Sequence, residues 1–248
     1  MIHEFTLHCK LAEYVYLPQE EFMGKIKREF NLSSEFRSYQ GSEVAVCWDN
    51  DRMIIVCRGT QATSWNDIKA DLKAYKTKFR GICWAHDGFK DEVEKNLDWA
   101  VEVSHANGSH RKQVSICGHS LGGAMAHLFA LYFAHELEHH VTLYTFGSPR
   151  VGGWSFNRAF KSCGIVAHRF RNNNDIVPTV PFAIMGYKHQ GELHYINHYG
   201  NIRKLTAWQK FKDQWRGRIR AWQKGQPFDG VFDHSITLYS NKISKQFS

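Results

Sequence analysis

The chain has 248 residues, 43% of them hydrophobic and 23% charged, a balance that suits a folded core and excludes a disordered or low-complexity chain. No apolar run approaches the length that a bilayer-spanning helix needs. The formal net charge is +8, concentrated between Arg203 and Lys224, where eight lysines and arginines face Asp213 alone.

Met1 to His8 lack a basic stretch followed by an apolar one, so a cytoplasmic protein is expected. The six cysteines, Cys9, Cys47, Cys57, Cys83, Cys117 and Cys163, show neither Cys-x-x-Cys spacing nor a Cys/His cluster. Reduced structural thiols are expected, and no metal is implied. No repeat or linker divides the chain, so residues 1–248 read as one domain.

The predicted elements alternate. Leu11, Tyr14 and Val15 place a helix over His8 to Leu17. Strands follow at Glu43 to Trp48 and Met53 to Arg58, joined by the turn-rich Asp49-Asn50-Asp51. Phe89, Val93, Leu97, Ala100 and Val101 recur at helical spacing and predict one long helix from Gly88 to His105. A short β-prone run, Gln113 to Cys117, leads into an alanine-rich helical stretch beginning near Gly123. A strand at Val141 to Phe146, a helix at Trp154 to Lys161 and a strand at Ile165 to Arg171 complete the pattern. Such alternation predicts an α/β fold with a mostly parallel sheet flanked by helices.

Between the third predicted strand and its helix lies Gly118-His119-Ser120-Leu121-Gly122. A serine between two glycines at a strand-to-helix turn is a nucleophile elbow, which exposes the hydroxyl on a sharp turn. A serine hydroxyl needs a base to take its proton and a carboxylate to orient that base. In hydrolases of this architecture the acid follows the serine and the histidine follows the acid. Downstream of Ser120 the aspartates are Asp175, Asp213, Asp229 and Asp233, and the glutamates Glu136, Glu138 and Glu192. Asp175 follows a strand in the polar loop Asn172 to Asp175, at the strand end where such sheets place functional loops. Of nine histidines after the serine, His234 lies after the acid and just before a final helix. His198 stands second. The oxyanion of a tetrahedral intermediate needs backbone N–H donors, which Leu121 and Thr60, after Arg58-Gly59, are placed to supply.

These segments resemble the class 3 lipase family of α/β-hydrolases. The resemblance rests on Arg58-Gly59-Thr60, His86-Asp87-Gly88-Phe89, the elbow through Ala124, Thr145 to Gly152, Asn174-Asp175-Ile176-Val177-Pro178 and Asp233-His234, in the family's order. It implies an α/β-hydrolase fold with Ser120 as nucleophile, Asp175 as acid, His234 as base, and Thr60 and Leu121 at the oxyanion hole. It also implies a short lid helix within Gln61 to Leu72, where Trp65 and Ile68 supply the apolar face. The activity implied is that of a serine carboxylester hydrolase cleaving acylglycerol esters without a cofactor. A phospholipase A1, an esterase for soluble or phenolic esters, and a non-catalytic lipid- or protein-binding module are the alternatives.

Residues 203–226 form a separate feature. Trp208, Phe211, Trp215, Ile219 and Trp222 recur three to four residues apart, along one helical stripe. The plainest expectation docks this stripe on the domain, with a basic face in solvent. The functional alternative is adsorption to an anionic lipid surface through Trp215, Arg216, Arg218, Arg220 and Trp222. No nucleic-acid recognition motif accompanies the charge.

Overall fold

The structure is a computed structural model that describes residues 2–59, 75–223 and 229–247. Strands β1 (Ser33–Tyr39), β2 (Ser42–Trp48), β3 (Arg52–Cys57), β6 (Gln113–His119), β7 (Val141–Phe146), β8 (Val166–Asn172), β9 (Glu192–Ile196) and β10 (Ile202–Arg203) form one sheet in the order β1-β2-β3-β6-β7-β8-β9-β10. The run β3-β6-β7-β8-β9 is parallel, and β1, β2 and β10 add antiparallel edges. Strands β4 (Lys76–Phe79) and β5 (Cys83–His86) make a separate hairpin.

Helices α1 (Glu4–Tyr14), α2 (Gln19–Phe30) and the last helix, Ile236–Gln246, cover one face of the sheet. Helices α3 (Asp87–Glu94), α4 (Leu97–Ala106), α5 (Leu121–His135) and α6 (Trp154–Ser162) cover the other. Among the described residues the chain then adds α7 (Ala207–Gln223), the single turn α8 (Asp229–Phe232) and α9 (Ile236–Gln246). Because both faces are covered, the central strands are apolar on both sides: Met53 to Cys57 are all buried.

Three expectations change. The first helix starts at Glu4 and stops at Tyr14. The long helix predicted from Gly88 to His105 is two helices, α3 and α4, separated at Lys95 and Asn96. Asn96 is buried with φ −126° and ψ −4°, and its side-chain amide donates to the Ser42 carbonyl at 3.2 Å. That tie to the start of β2 turns the chain while the apolar period continues through it. Helix α2, strand β1 and the β4–β5 hairpin come additionally; β1 is polar and only partly buried, so it carries little alternation.

All six cysteines are free, and five are buried. Burial raises the Cys57 and Cys117 thiols far above the usual range, which makes them inert packing groups.

Two buried histidines give the fold an acid weakness. His8 donates from Nδ1 to the Glu4 carbonyl at 2.7 Å, and its Nε2 accepts from the Ser115 hydroxyl at 2.7 Å. His127 on α5 donates from Nδ1 to the Gly123 carbonyl at 2.8 Å. Burial pushes both imidazoles down to about 4. Unfolded, each takes a proton near pH 6.5. Between pH 6.5 and 4 the unfolded chain therefore binds more protons, so stability falls as pH falls. Each histidine is expected to cost about 2 kcal/mol by pH 5. The urea midpoint should drop between pH 7.5 and pH 5, and an unchanged midpoint would contradict the assignment.

Candidate active site

The parallel strands all end on one edge of the sheet, and the predicted chemistry collects there. Ser120 follows β6, Gly147 follows β7, the Asp175 loop follows β8, and Gly59 lies two residues beyond β3. Ser120 has φ 57° and ψ −127°, a strained conformation for a residue with a side chain. The turn is held by its amide donating to the Phe146 carbonyl at 3.0 Å and its carbonyl accepting from Gly123 and Ala124. Gly122 is required because a Cβ there would overlap the Cys57 carbonyl on β3. The elbow is thereby pressed against the neighbouring strand.

His234 Nε2 lies 2.8 Å from Ser120 Oγ, and His234 Nδ1 lies 3.0 Å from each carboxylate oxygen of Asp175. The carboxylate only accepts, so Nδ1 carries the proton and Nε2 accepts from the serine hydroxyl. Asp175 is fully buried, and Ser120 and His234 nearly so. Gly147, at φ +58°, makes room for the pair. A Cβ there would stand 2.7 Å from Asp175 Oδ2 and 2.9 Å from His234 Nδ1. This is a physical reason for glycine in the Phe146-Gly147-Ser148-Pro149 run.

Several supporting groups escaped the sequence reading. The Tyr239 hydroxyl, on α9, donates to Asp175 Oδ2 at 2.6 Å and accepts from the Asn172 amide at 2.8 Å. The Val177 amide donates to Asp175 Oδ1 at 3.0 Å. Asp233 accepts from the Asn172 side chain at 3.1 Å and from the Asn174 amide at 3.1 Å, which ties the histidine loop to the acid loop. His119, inside the elbow, donates from Nε2 to the His234 carbonyl at 2.7 Å and accepts from the Tyr16 hydroxyl at 3.1 Å. Burial holds His119 well below the usual histidine range, so it stays a neutral strut. Only Asp233 and His119 had a sequence cue, their adjacency to His234 and Ser120. Tyr239→Phe would leave the buried Asn172 amide and one Asp175 oxygen short of a partner. The expected cost is about 2 kcal/mol of unfolding free energy in urea titrations; an unchanged midpoint would deny the tyrosine this role.

Leu121 opens α5, so its N–H has no partner within the helix. Thr60, Trp65 and Ile68, with the expected lid segment, lie outside the described residues. His198 stands after β9, where its amide donates to Asp213 at 3.0 Å; the position beside Ser120 belongs to His234.

The comparisons with known proteins agree with this geometry. The family model described as lipase (class 3) matches residues 54–185, more than half of the chain. The chain belongs to the class 3 lipase family. The lipase of Rhizomucor miehei is 39% identical over 168 residues, covering 64% of this chain and 46% of that protein. Secreted mono- and diacylglycerol lipase 1 of Fusarium solani is 36% identical over 110 residues, 43% of this chain and 32% of that protein. This class 3 lipase chain thus spans less than half the length of these two relatives. The solved Rhizomucor miehei triacylglyceride lipase superposes with a TM-score of 0.69 at 27% identity, over 78% of this chain and 79% of that one. The mostly parallel sheet with helices on both faces is therefore an α/β-hydrolase fold.

Helix α7 departs from the plain expectation for the basic segment. Asp213 and Gly217 are buried and face the protein: Asp213 accepts from the Tyr195 hydroxyl at 2.9 Å, and Gly217 lies against the Asn173 and Asn174 side chains. The Gln214 carbonyl accepts from Asn174 Nδ2 at 3.1 Å, and the Gln214 side chain donates to the Asn173 carbonyl at 3.2 Å. The aromatic stripe points the other way. Trp208 is 63% exposed, Phe211 54%, Trp215 55% and Ile219 42%. At about 100° per residue, Asp213 and Gly217 fall opposite Trp208, Trp215 and Ile219. The helix is docked by its polar side because the Asn173–Asn174 loop and Tyr195 on β9 beneath it offer amides and a hydroxyl. Arg216 and Arg218 are exposed; the Arg220 and Trp222 side chains lie outside the described residues.

Proposed function

We propose that this chain is a serine carboxylester hydrolase that cleaves acylglycerol esters, with Ser120 as nucleophile, His234 as general base and Asp175 as its orienting acid. The observation that carries the reading is the continuous relay from Ser120 Oγ through His234 to Asp175, 2.8 Å and then 3.0 Å long, on a strained elbow. His234 Nε2 takes the hydroxyl proton as Oγ attacks the ester carbonyl carbon. The buried Asp175 carboxylate stabilises the imidazolium that forms. The oxyanion is held by the Leu121 N–H and, on this reading, by Thr60. His234 then returns the proton to the departing alcohol, which leaves an acyl-Ser120 ester. Water, activated by the same imidazole, releases the fatty acid.

The names of the relatives, a lipase and a mono- and diacylglycerol lipase, support acylglycerols over other esters. So does α7, whose exposed aromatic stripe is flanked by cations. A helix of this kind seats tryptophans at the headgroup level of a lipid surface while arginines meet anionic lipids. We read α7 as the chain's contact with an anionic lipid surface. That favours an enzyme working at a lipid–water interface over an esterase for soluble esters.

A hydrolysis panel of triacylglycerol, diacylglycerol, phospholipid and p-nitrophenyl esters of graded chain length tests the substrate, with the Ser120→Ala variant as blank. Fatty-acid release from acylglycerols above the blank is expected. Release from phospholipid alone, or from short soluble esters alone, would move the assignment to those classes. Arg216→Gln with Arg218→Gln should weaken binding to phosphatidylserine vesicles roughly thirtyfold at low salt, at about 1 kcal/mol per cation. Vesicle binding equal to that of the unaltered chain would reject the surface role of α7.

A further inference from the structure

At the far end of β8 and β9 from Asp175, three side chains converge that the hydrolase chemistry does not use. His168 and Glu192 sit opposite each other in the β8–β9 register, and His194 lies two residues beyond Glu192 on the same face. His168 Nδ1 stands 3.0 Å from His194 Nε2, and His194 Nε2 stands 3.9 Å from Glu192 Oε2. The three candidate ligand atoms all lie within 4.8 Å of one another.

We propose that His168, Glu192 and His194 form a zinc site that clasps β8 to β9. Two imidazole nitrogens bound to one tetrahedral zinc, each at about 2.0 Å, are about 3.3 Å apart, so the pair needs to open by only a few tenths of an ångström. An imidazole–imidazole hydrogen bond accounts for the 3.0 Å separation, and the Glu192 carboxylate oxygen within 4.8 Å of both nitrogens adds an anionic donor to the pair. Two histidines with one carboxylate are a donor set suited to zinc, and water would complete the shell. A neighbouring cation orients the carboxylate as well. Lys204 Nζ holds Glu192 Oε1 at 3.0 Å, so the other oxygen, Oε2, is the one left facing the imidazoles. The ring of His194 stacks on Phe170 with centroids 4.8 Å apart, and that of His168 on Tyr144 at 5.3 Å, which fixes both imidazoles against rotation. Strand β8 leads directly into the Asp175 loop, so a clasp here steadies the strand that carries the acid.

The test is titration of the metal-free full chain with zinc, read by calorimetry and by thermal melting. One zinc per chain should bind at micromolar free metal, and the melting temperature should rise with zinc concentration. His168→Ala with His194→Ala should abolish both responses. Because those rings also pack, Glu192→Gln serves as the second variant: it alters an exposed side chain and should weaken binding at least tenfold while the metal-free melting temperature stays unchanged. No zinc binding by the unaltered chain would overturn the site. Binding of equal affinity in the double histidine variant would overturn it too, since the chain has 15 histidines that could hold zinc elsewhere.

Discussion

Ser120→Ala is expected to lower kcat on acylglycerol by on the order of 10⁶, the loss seen when a nucleophile that acts as one unit with its base is removed. The substitution keeps the Cβ, so the strained backbone at φ 57° carries no new burden. The lost hydroxyl had His234 as its partner, at 2.8 Å. The fold should therefore survive, with circular dichroism and urea midpoint unchanged. His234→Ala should cost about as much, and the double variant no more than either alone. Activity losses that multiply in the double variant would mean that the two residues do not form one relay.

Asp175→Asn is expected to lower kcat by roughly 10⁴ with little change in the fold. The reason is a tautomer. Asp175 accepts the Nδ1 proton of His234 through both oxygens, at 3.0 Å each. It also accepts from the Tyr239 hydroxyl at 2.6 Å and the Val177 amide at 3.0 Å. An asparagine has one oxygen, and when that oxygen keeps the Val177 amide its NH2 takes the Oδ2 place, against the Tyr239 hydroxyl and Nδ1. The imidazole then accepts there and carries its proton on Nε2, where it cannot take one from Ser120. Steady-state kinetics on an acylglycerol emulsion would measure the loss. A decrease of less than tenfold would show that another group orients the base.

Much of this site was legible because chemistry and chain order prune together. A serine needs an acid and then a histidine downstream, and Asp175 and His234 met that order at the right ends of strands. The structure places them within hydrogen-bond reach of each other and of Ser120. What sequence could not show was support from distant residues. Tyr16 reaches His119 across 103 positions, and Tyr239 reaches Asp175 across 64. Neither tyrosine sits in a pattern that distinguishes it from a packing residue. The α3–α4 break was hidden for a related reason, since a buried asparagine turns the chain without interrupting the apolar period. From spacing alone, the stripe of α7 is expected to be a docking face. Spacing shows that a helix has two faces, but the surface beneath decides which one is buried. Here Asn173, Asn174 and Tyr195 took the polar face.

The proposed function requires Ser120 to be a nucleophile made reactive by His234 and Asp175. Labelling with an alkyl phosphonate ester, read by mass spectrometry of the peptides, addresses it most directly. One adduct per chain is expected, on Ser120, formed rapidly in the unaltered protein, slowly in Asp175→Asn and not at all in Ser120→Ala. An unmodified Ser120 after prolonged exposure, or an adduct that persists in Ser120→Ala, would contradict it.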